Sequence, residues 1–353
     1  MGSKYTIDLE NYMKQGEPGQ KERGLIWHTA IGLQQTDGLK TSEYLITTAN
    51  RNINGDITLD EAGELIDSYY ESCPASPEDT SRTEEADKVS VRVSQLLSEK
   101  TFSFSPVEFT TIHRRLFDGI YSFAGKIRDY NISKKEWVLN GETVYYASAG
   151  SIRETLDYDF AQEKKFSYKG LSMTQTAEHI AKFSSGLWQI HAFGEGNTRT
   201  TAVFIIKYLR TFGFDVTNDI FAENAWYFRN ALVRANYNNL KLGIHSTQEY
   251  LNRFFANLLL GEGNILKNRE LHITVPQNDT VNDTVNDTVK LSASQQKILT
   301  ALRENPHMKV SQIVDEICIS EATVKRALRI LKSASLIERI GSDKTGHWLV
   351  NER

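Results

Sequence analysis

Over long stretches of the chain apolar residues recur three and four apart, with polar positions between them, which is the period of a half-buried helix. In TEEADKVSVRVSQLLSEK, Val89, Val93, Leu96 and Leu97 fall at helical intervals. SPVEFTTIHRRLFDGIYSFAG opens with Ser105 ahead of Pro106, an N-cap followed by a first-turn proline. Phe109, Ile112, Leu116 and Ile120 then form one stripe, and Gly125 closes it. TQTAEHIAKFSSGLWQI ends at His191, and NTRTTAVFIIKYLRTFG runs from Asn197 to Gly213; both read as core helices. WVLNGETVYY departs from this period. Its Asn140-Gly141 pair between two β-favouring runs predicts a hairpin over residues 137–146. The expected fold class is therefore mainly α, with one hairpin among the helices.

Polar interruptions divide the chain. NDTVNDTVNDTV, residues 278–289, repeats a tetrapeptide that cannot bury a core, so residues 276–290 are expected to be a tether. CPASPEDTSRTEEAD, Cys73 to Asp87, is a weaker boundary rich in proline and small polar residues. The expected organisation is a small helical domain over residues 1–75, a core over 85–260, and a C-terminal domain over 291–353. The first of these carries two or three helical stretches and a polar turn at Asn54-Gly55-Asp56. The last reads as helix, helix, turn, helix and then two short strands around GSDKTG.

Composition narrows the functional classes. A net charge of -4 argues against a chain that coats nucleic acid or an anionic membrane along its length. Residues 291–353 hold ten Lys/Arg against seven Asp/Glu, so that domain is basic while the remainder is acidic. Cys73 and Cys318 are the only cysteines and lie far apart, which excludes a disulfide framework or a cysteine zinc site. No apolar run approaches the roughly 20 residues that span a bilayer. A cytoplasmic protein without membrane partners is expected.

The candidate chemistry lies in HAFGEGNTRT, residues 191–200, at the joint of the two core helices. A helix starting at Gly196-Asn197-Thr198 offers unpaired N–H groups and a dipole to an anion, and Gly196 lets a phosphate approach the backbone. Arg199, one turn in, adds charge-assisted hydrogen bonds. Glu195 is a hard oxygen ligand suited to a phosphate-bridging Mg²⁺, and His191 is the side chain that suits a general base near neutral pH. A Gly-Asn loop between helices is common and a single His often only caps carbonyls, but here base, ligand, glycine, asparagine and arginine occur in one fixed order.

That order resembles the Fic family signature H-x-F-x-[DE]-G-N-G-R-x-x-R, matched at His191, Phe193, Glu195, Gly196, Asn197 and Arg199. The upstream helix, the 137–146 hairpin and FRNALVRAN, residues 228–236, extend the resemblance over roughly residues 85–260. It implies transfer of AMP from ATP to a Ser, Thr or Tyr hydroxyl of a target protein. His191 would take the hydroxyl proton and Glu195 would hold Mg²⁺. Asn197 and Arg199 would grip the phosphates, with the backbone of Gly196 and Thr198 forming the anion hole. Asn236 would contact the nucleoside, and the hairpin edge Val144, Tyr145 and Tyr146 would pair with an extended target segment. Ala192 and Thr198 replace a proline and a glycine of the pattern, and Ala202 stands where the family has its second arginine. Its absence leaves phosphoryl transfer, as in the Doc branch, as a competing reaction.

The N-terminal piece resembles the VbhA-like antitoxin partners of Fic proteins, whose [ST]-x-x-x-E-[GN] motif carries an inhibitory glutamate. Leu33 to Gly38 aligns with it, with Asp37 for the glutamate. Ser81 to Glu85 has the same spacing and makes Glu85 a rival, with a solvated helix face as the plainer reading of either acid. The C-terminal domain resembles a winged helix-turn-helix. Its Glu321–Lys332 helix would enter a DNA groove through Lys325, Arg326 and Arg329, with Lys344 on the wing near phosphate. The alternative to a transferase is a DNA-bound regulator whose Fic core senses a nucleotide without turnover.

Overall fold

The computed structural model describes residues 17–72, 78–214, 216, 220–273, 293–317, 324–325, 327–328, 331–332, 336–340 and 347–350. The expected tether, both cysteines, and Arg326, Arg329 and Lys344 lie outside them. The chain divides into two compact units, Met1–Gln277 and Asn278–Arg353. Among the described residues no helix is long and apolar enough to cross a membrane.

The first unit opens with α1, Pro18–Gly32, started by a Glu17/Gln20 capping box and a first-turn proline. A 3₁₀ turn, Leu33–Asp37, leads to α2, Glu43–Asn54, and α3, Leu59–Ser72. Ser42 caps α2, and Gly55 ends it in the left-handed conformation, where the polar turn is expected. Helix α1 has two buried faces. Trp27 packs with Leu45, Ala49, Ile53 and Ile66, whereas Ile26, Ala30 and Leu33 join the large core of the following helices. A Cβ on Gly32 would lie 2.3 Å from the Ala222 carbonyl oxygen, so this helix end fits only without a side chain. The N-terminal helices thus belong to the same compact unit as the helices after them.

Helix α4, Glu78–Ser98, begins inside the stretch whose composition reads as a boundary, and residues 73–77 of that stretch lie outside the described residues. No proline or glycine follows within it, and buried Asp87 accepts hydrogen bonds from the Ser42 backbone and side chain and from the Tyr70 hydroxyl. Helix α5, Pro106–Phe117, has the Ser105 cap but ends before Ile120 and Gly125. Arg92 donates to the carbonyls of Leu116 and Asp118 there, supplying partners for the helix end.

Helices α6, Ile152–Lys165, α7, Met173–Ile190, α8, Asn197–Thr211, α9, Ile220–Ala235, and α10, Glu249–Leu260, complete the unit. Helix α8 is its axis, with Ala202, Val203, Phe204, Ile205 and Ile206 fully buried.

The expected 137–146 hairpin is corrected to a turn without strands. Asn140 and Gly141 have φ of 55° and 91°, and the Glu142 amide donates to the Leu139 carbonyl, so the turn forms. Val138 and Leu139 are both fully buried in the core. Trp137–Leu139 is instead a 3₁₀ turn.

In the second unit α11, Ala293–Glu304, and α12, Val310–Ile317, precede β1, Ile337–Ile340, and β2, His347–Val350. The strands are antiparallel, with Ile337 opposite Val350. Ile298, Leu302, Ile313, Val324, Leu328 and Leu331 share one core, and exposed Lys325 lies outside it.

Candidate active site

The loop between α7 and α8 is held from inside. His191 ends α7 in the left-handed conformation, with φ of 50°. Asn197 closes the loop, its Oδ1 accepting from the Phe193 amide at 3.0 Å and its Nδ2 donating to the Phe193 carbonyl at 2.8 Å. The Thr198 hydroxyl accepts from Trp188 Nε1 at 3.0 Å. The side chains of both residues are therefore loop fasteners, and what this terminus offers an anion is its backbone N–H groups. Gly196 is required twice over: its φ is 75°, and a Cβ would sit 2.4 Å from the Phe117 ring.

Two residues not singled out in the sequence complete the scaffold. His113 Nδ1 accepts from the Gly125 amide at 2.8 Å, so the ring proton is on Nε2, which donates to the Glu195 carbonyl at 3.0 Å. The ring stacks on Phe193 at 3.7 Å, and burial pushes its pKa down to about 4, keeping it neutral. Arg128 Nε donates to the His191 carbonyl at 2.7 Å, and its Nη atoms to the carbonyls of Tyr130 and Ala147 at 2.6 Å. The signal for His113 is its place on the apolar face of α5, between Phe109 and Leu116.

His191 itself is buried, and both ring nitrogens lack a hydrogen-bond partner among the described residues. Tyr146 packs on the imidazole with centroids 4.1 Å apart, and Trp188 meets it edge-on at 5.4 Å. Burial, then the charges of Lys134 and Arg128, hold its pKa well below the ordinary histidine range. The ring is thus a neutral base with both positions free. The Tyr146 hydroxyl donates to Glu136 Oε1 at 3.2 Å, and Glu136 pairs with Arg229 at 2.7 Å. Glu195 points outward, and Lys134 Nζ bridges both its oxygens at 2.8 Å.

Arg199 is the most heavily bound charge of the site. Only 1% of its side chain is exposed. Its Nε lies 2.7 Å from Asp37 Oδ2, its Nη2 2.6 Å from Glu85 Oε1, and its Nη1 donates to Gln34 Oε1 at 3.1 Å. The guanidinium also lies 4.8 Å from the centroid of the Phe117 ring. Burial pulls its pKa down, but Asp37, Tyr121 and Glu85 outweigh that and hold it above its ordinary value. Asp37 and Glu85 are therefore not alternatives, and neither lies on a solvated face: both bind one guanidinium. A cavity of about 480 Å³ opens beside them, bordered also by Glu195, Lys134, Tyr121 and Arg229.

The remaining expected residues are scattered. Val144 is buried, Tyr145 is 81% exposed, and Tyr146 covers His191. Asn236 is not on the cavity wall; its Nδ2 donates to the Ser185 carbonyl, the Ser185 hydroxyl and the Leu232 carbonyl. Ala202 is fully buried in α8.

One loop thus joins a buried imidazole to a helix N-terminus, and Glu195 and Arg199 from that loop and helix border a cavity lined by both cations and carboxylates, whose wall does not include His191. Residues 103–209 match the Fic/DOC family and residues 291–344 the MarR family, so the chain carries a Fic domain followed by a MarR-type winged helix. Over 165 residues it is 26% identical to the protein adenylyltransferase VbhT of Bartonella schoenbuchensis, covering 46% of this chain and 33% of that one. The chain thus spans about a third of the length of that curated relative. Among solved structures it is similar to the N-terminal Fic domain of a VirB-translocated Bep effector from Bartonella quintana with bound ADP. That likeness has 20% identity and a TM-score of 0.43, covering 53% of this chain and 91% of that one. A Fic family protein from Desulfovibrio desulfuricans G20 is 11% identical with a TM-score of 0.41, covering 99% of this chain and 91% of that one.

Proposed function

We propose that the chain is a protein adenylyltransferase that moves AMP from ATP to a Ser, Thr or Tyr hydroxyl of a target protein and is restrained by its own N-terminal segment. The observation that carries the reading is His191, a buried neutral imidazole whose ring nitrogens have no hydrogen-bond partner among the described residues, at the end of α7 and one short loop before the N-terminus of α8. The target hydroxyl oxygen attacks the α-phosphorus, the bond from that phosphorus to the bridging oxygen breaks, and pyrophosphate leaves. The hydroxyl proton passes to His191. The N–H groups of Gly196 and Thr198 and the freed Arg199 guanidinium stabilise the phosphates. The segment around exposed Tyr145, which has no regular secondary structure, offers backbone groups for a target strand to add beside His191, its Tyr145 carbonyl being shared with Gln189 Nε2.

The donor set fits a magnesium ion that arrives with the nucleotide. Among the described residues no group of three His, Cys, Asp or Glu side chains forms a cation cage. A single outward carboxylate, Glu195, suits an ion that takes its other ligands from phosphate and water. Glu195 would hold it, and the bound ion would neutralise phosphate charge.

Restraint follows from the Arg199 clamp. A triphosphate that needs this guanidinium must displace Asp37 and Glu85, which carry the same sign of charge as the phosphates. ATP labelled at the α-phosphate, and separately at the γ-phosphate, tests the reaction. Label from α supports AMP transfer. Label from γ alone supports the phosphoryl transfer that Ala202 makes a competitor, and no label from either supports a nucleotide sensor. The MarR-type domain favours DNA as a second partner. Binding of duplex DNA that weakens as salt rises would support it, and a salt-insensitive or absent interaction would oppose it.

A further inference from the structure

We propose, on the reading of the Fic domain as a nucleotide-using transferase, that Lys134 is a phosphate-binding residue, parked on Glu195 until a divalent cation takes that carboxylate. Lys134 belongs to the segment leading into the 139–142 turn, and its backbone amide donates to Thr143 Oγ1 at 3.2 Å, which fixes its position at the cavity wall. Its ammonium is centred on both Glu195 oxygens at 2.8 Å, the atoms a hard cation would take. Glu195 is 48% exposed, so the pair is screened and readily exchanged.

The other cations that border the cavity are differently placed. Arg199 is bound by two acids, Arg229 by the buried carboxylate of Glu136, and Arg82 donates to the Asp37 carbonyl, while Lys135, the next residue in the chain, also borders the cavity but is not paired with Glu195. Lys134 is the cation whose partner is itself the metal ligand, so binding of the metal with the nucleotide frees an ammonium at the same moment that phosphate charge enters. An ammonium left unpaired on this wall is unfavourable, and phosphate oxygens satisfy it. The exchange therefore couples metal and phosphate binding through one side chain.

The test is calorimetric binding of ATP to the full chain, with excess Mg²⁺ and with EDTA. Lys134→Met is expected to weaken ATP binding in Mg²⁺ about tenfold, with Lys134→Arg restoring most of it. Without metal, Glu195→Gln releases the ammonium and tightens ATP binding several-fold, and adding Lys134→Met removes that gain. Unchanged binding by Lys134→Met in Mg²⁺, or a Glu195→Gln gain that survives the loss of Lys134, would overturn the proposal. If neither the parent nor Asp37→Asn/Glu85→Gln binds ATP under any condition, the nucleotide reading falls and this proposal with it. That outcome is distinct, because failure at Lys134 alone leaves parent binding intact.

Discussion

Neutralising the Arg199 clamp should move stability and nucleotide affinity in opposite directions, which a purely structural ion pair would not do. Asp37→Asn and Glu85→Gln keep the shape of each side chain and remove its charge. Arg199 is buried, while Asp37 and Glu85 are 24% and 16% exposed, so the glutamate pair is the better shielded. Stripping a buried charge of its partner costs about 3–5 kcal/mol, but here each acid leaves the other in place. A single variant should therefore lose roughly 1–2 kcal/mol, with Glu85→Gln at the upper end, and the double variant about 3–5 kcal/mol. For a unit of this size 1 kcal/mol lowers the Tm by roughly 2–4 °C. ATP binding should tighten by about tenfold per acid removed, the equivalent of roughly 1.4 kcal/mol each, because a competitor for the guanidinium is gone. Thermal unfolding of the free protein, calorimetric titration with ATP and Mg²⁺, and transfer of α-phosphate label measure the three quantities. Lower Tm values with parent-like ATP affinity and labelling would refute the reasoning and leave the acids as structural counter-ions.

Further outcomes follow from single residues. His191→Ala should lower transfer by roughly 10²- to 10⁴-fold while ATP binding stays within about twofold of the parent, and equal transfer by the two would remove His191 from the mechanism. Because the His191 pKa is depressed, the imidazole stays neutral as pH falls through 6.5, so the rate at saturating ATP should show no acid limb there; a limb centred at 6.5 would contradict its burial. His113 has its folded pKa lowered to about 4 from 6.5. Below pH 6.5 the unfolded chain takes up a proton the folded one refuses, so urea unfolding should show His113 contributing roughly 3 kcal/mol of stability loss between pH 6.5 and 4, absent in His113→Gln. Gly196→Ala combines a left-handed φ with overlap on the Phe117 ring and should destabilise by about 2–4 kcal/mol, whereas a Tm within 2 °C of the parent would show that the ring yields.

The helices were legible because their periodicity is a local property: Ser105, Phe109, Ile112 and Leu116 stand in the structure as the pattern demands. The motif loop was legible for the same reason, with every member inside ten consecutive residues. What the pattern misjudged depends on packing between distant segments. Asn140-Gly141 does form its turn, but the flank Trp137–Leu139 packs into the core as a 3₁₀ turn, with Val138 and Leu139 both buried, rather than as a strand. Asp37 and Glu85 looked like rivals for one role because spacing compares each with a motif separately, and only the packing of the 3₁₀ turn and α4 on α8 brings them to a single guanidinium. The fastening roles of Asn197 and Thr198 were hidden in the same way: Thr198 meets Trp188 on the preceding helix, and Asn197 folds back onto Phe193.

The replacement at position 202 changes how restraint and binding are connected. In the resembled pattern two arginines lie one turn apart, so an inhibitory acid can hold one while the other still faces phosphate. Here the second position is Ala202, fully buried in α8, and cannot receive a carboxylate. The acids converge on Arg199 instead, the arginine nearest the helix N-terminus and the one proposed to grip the nucleotide. On that reading, restraint and phosphate binding compete for the same five N–H donors. Any event that draws Asp37 and the 3₁₀ turn off α8 would then free Arg199 of one of its two acids, without rearranging the 191–197 loop held by His113, Arg128 and Asn197. The same geometry sets a limit. Because Glu85 belongs to α4, which packs in the core through Val89 and Val93, it is the part of the clamp that cannot leave with the N-terminal segment, and the nucleotide must displace it alone.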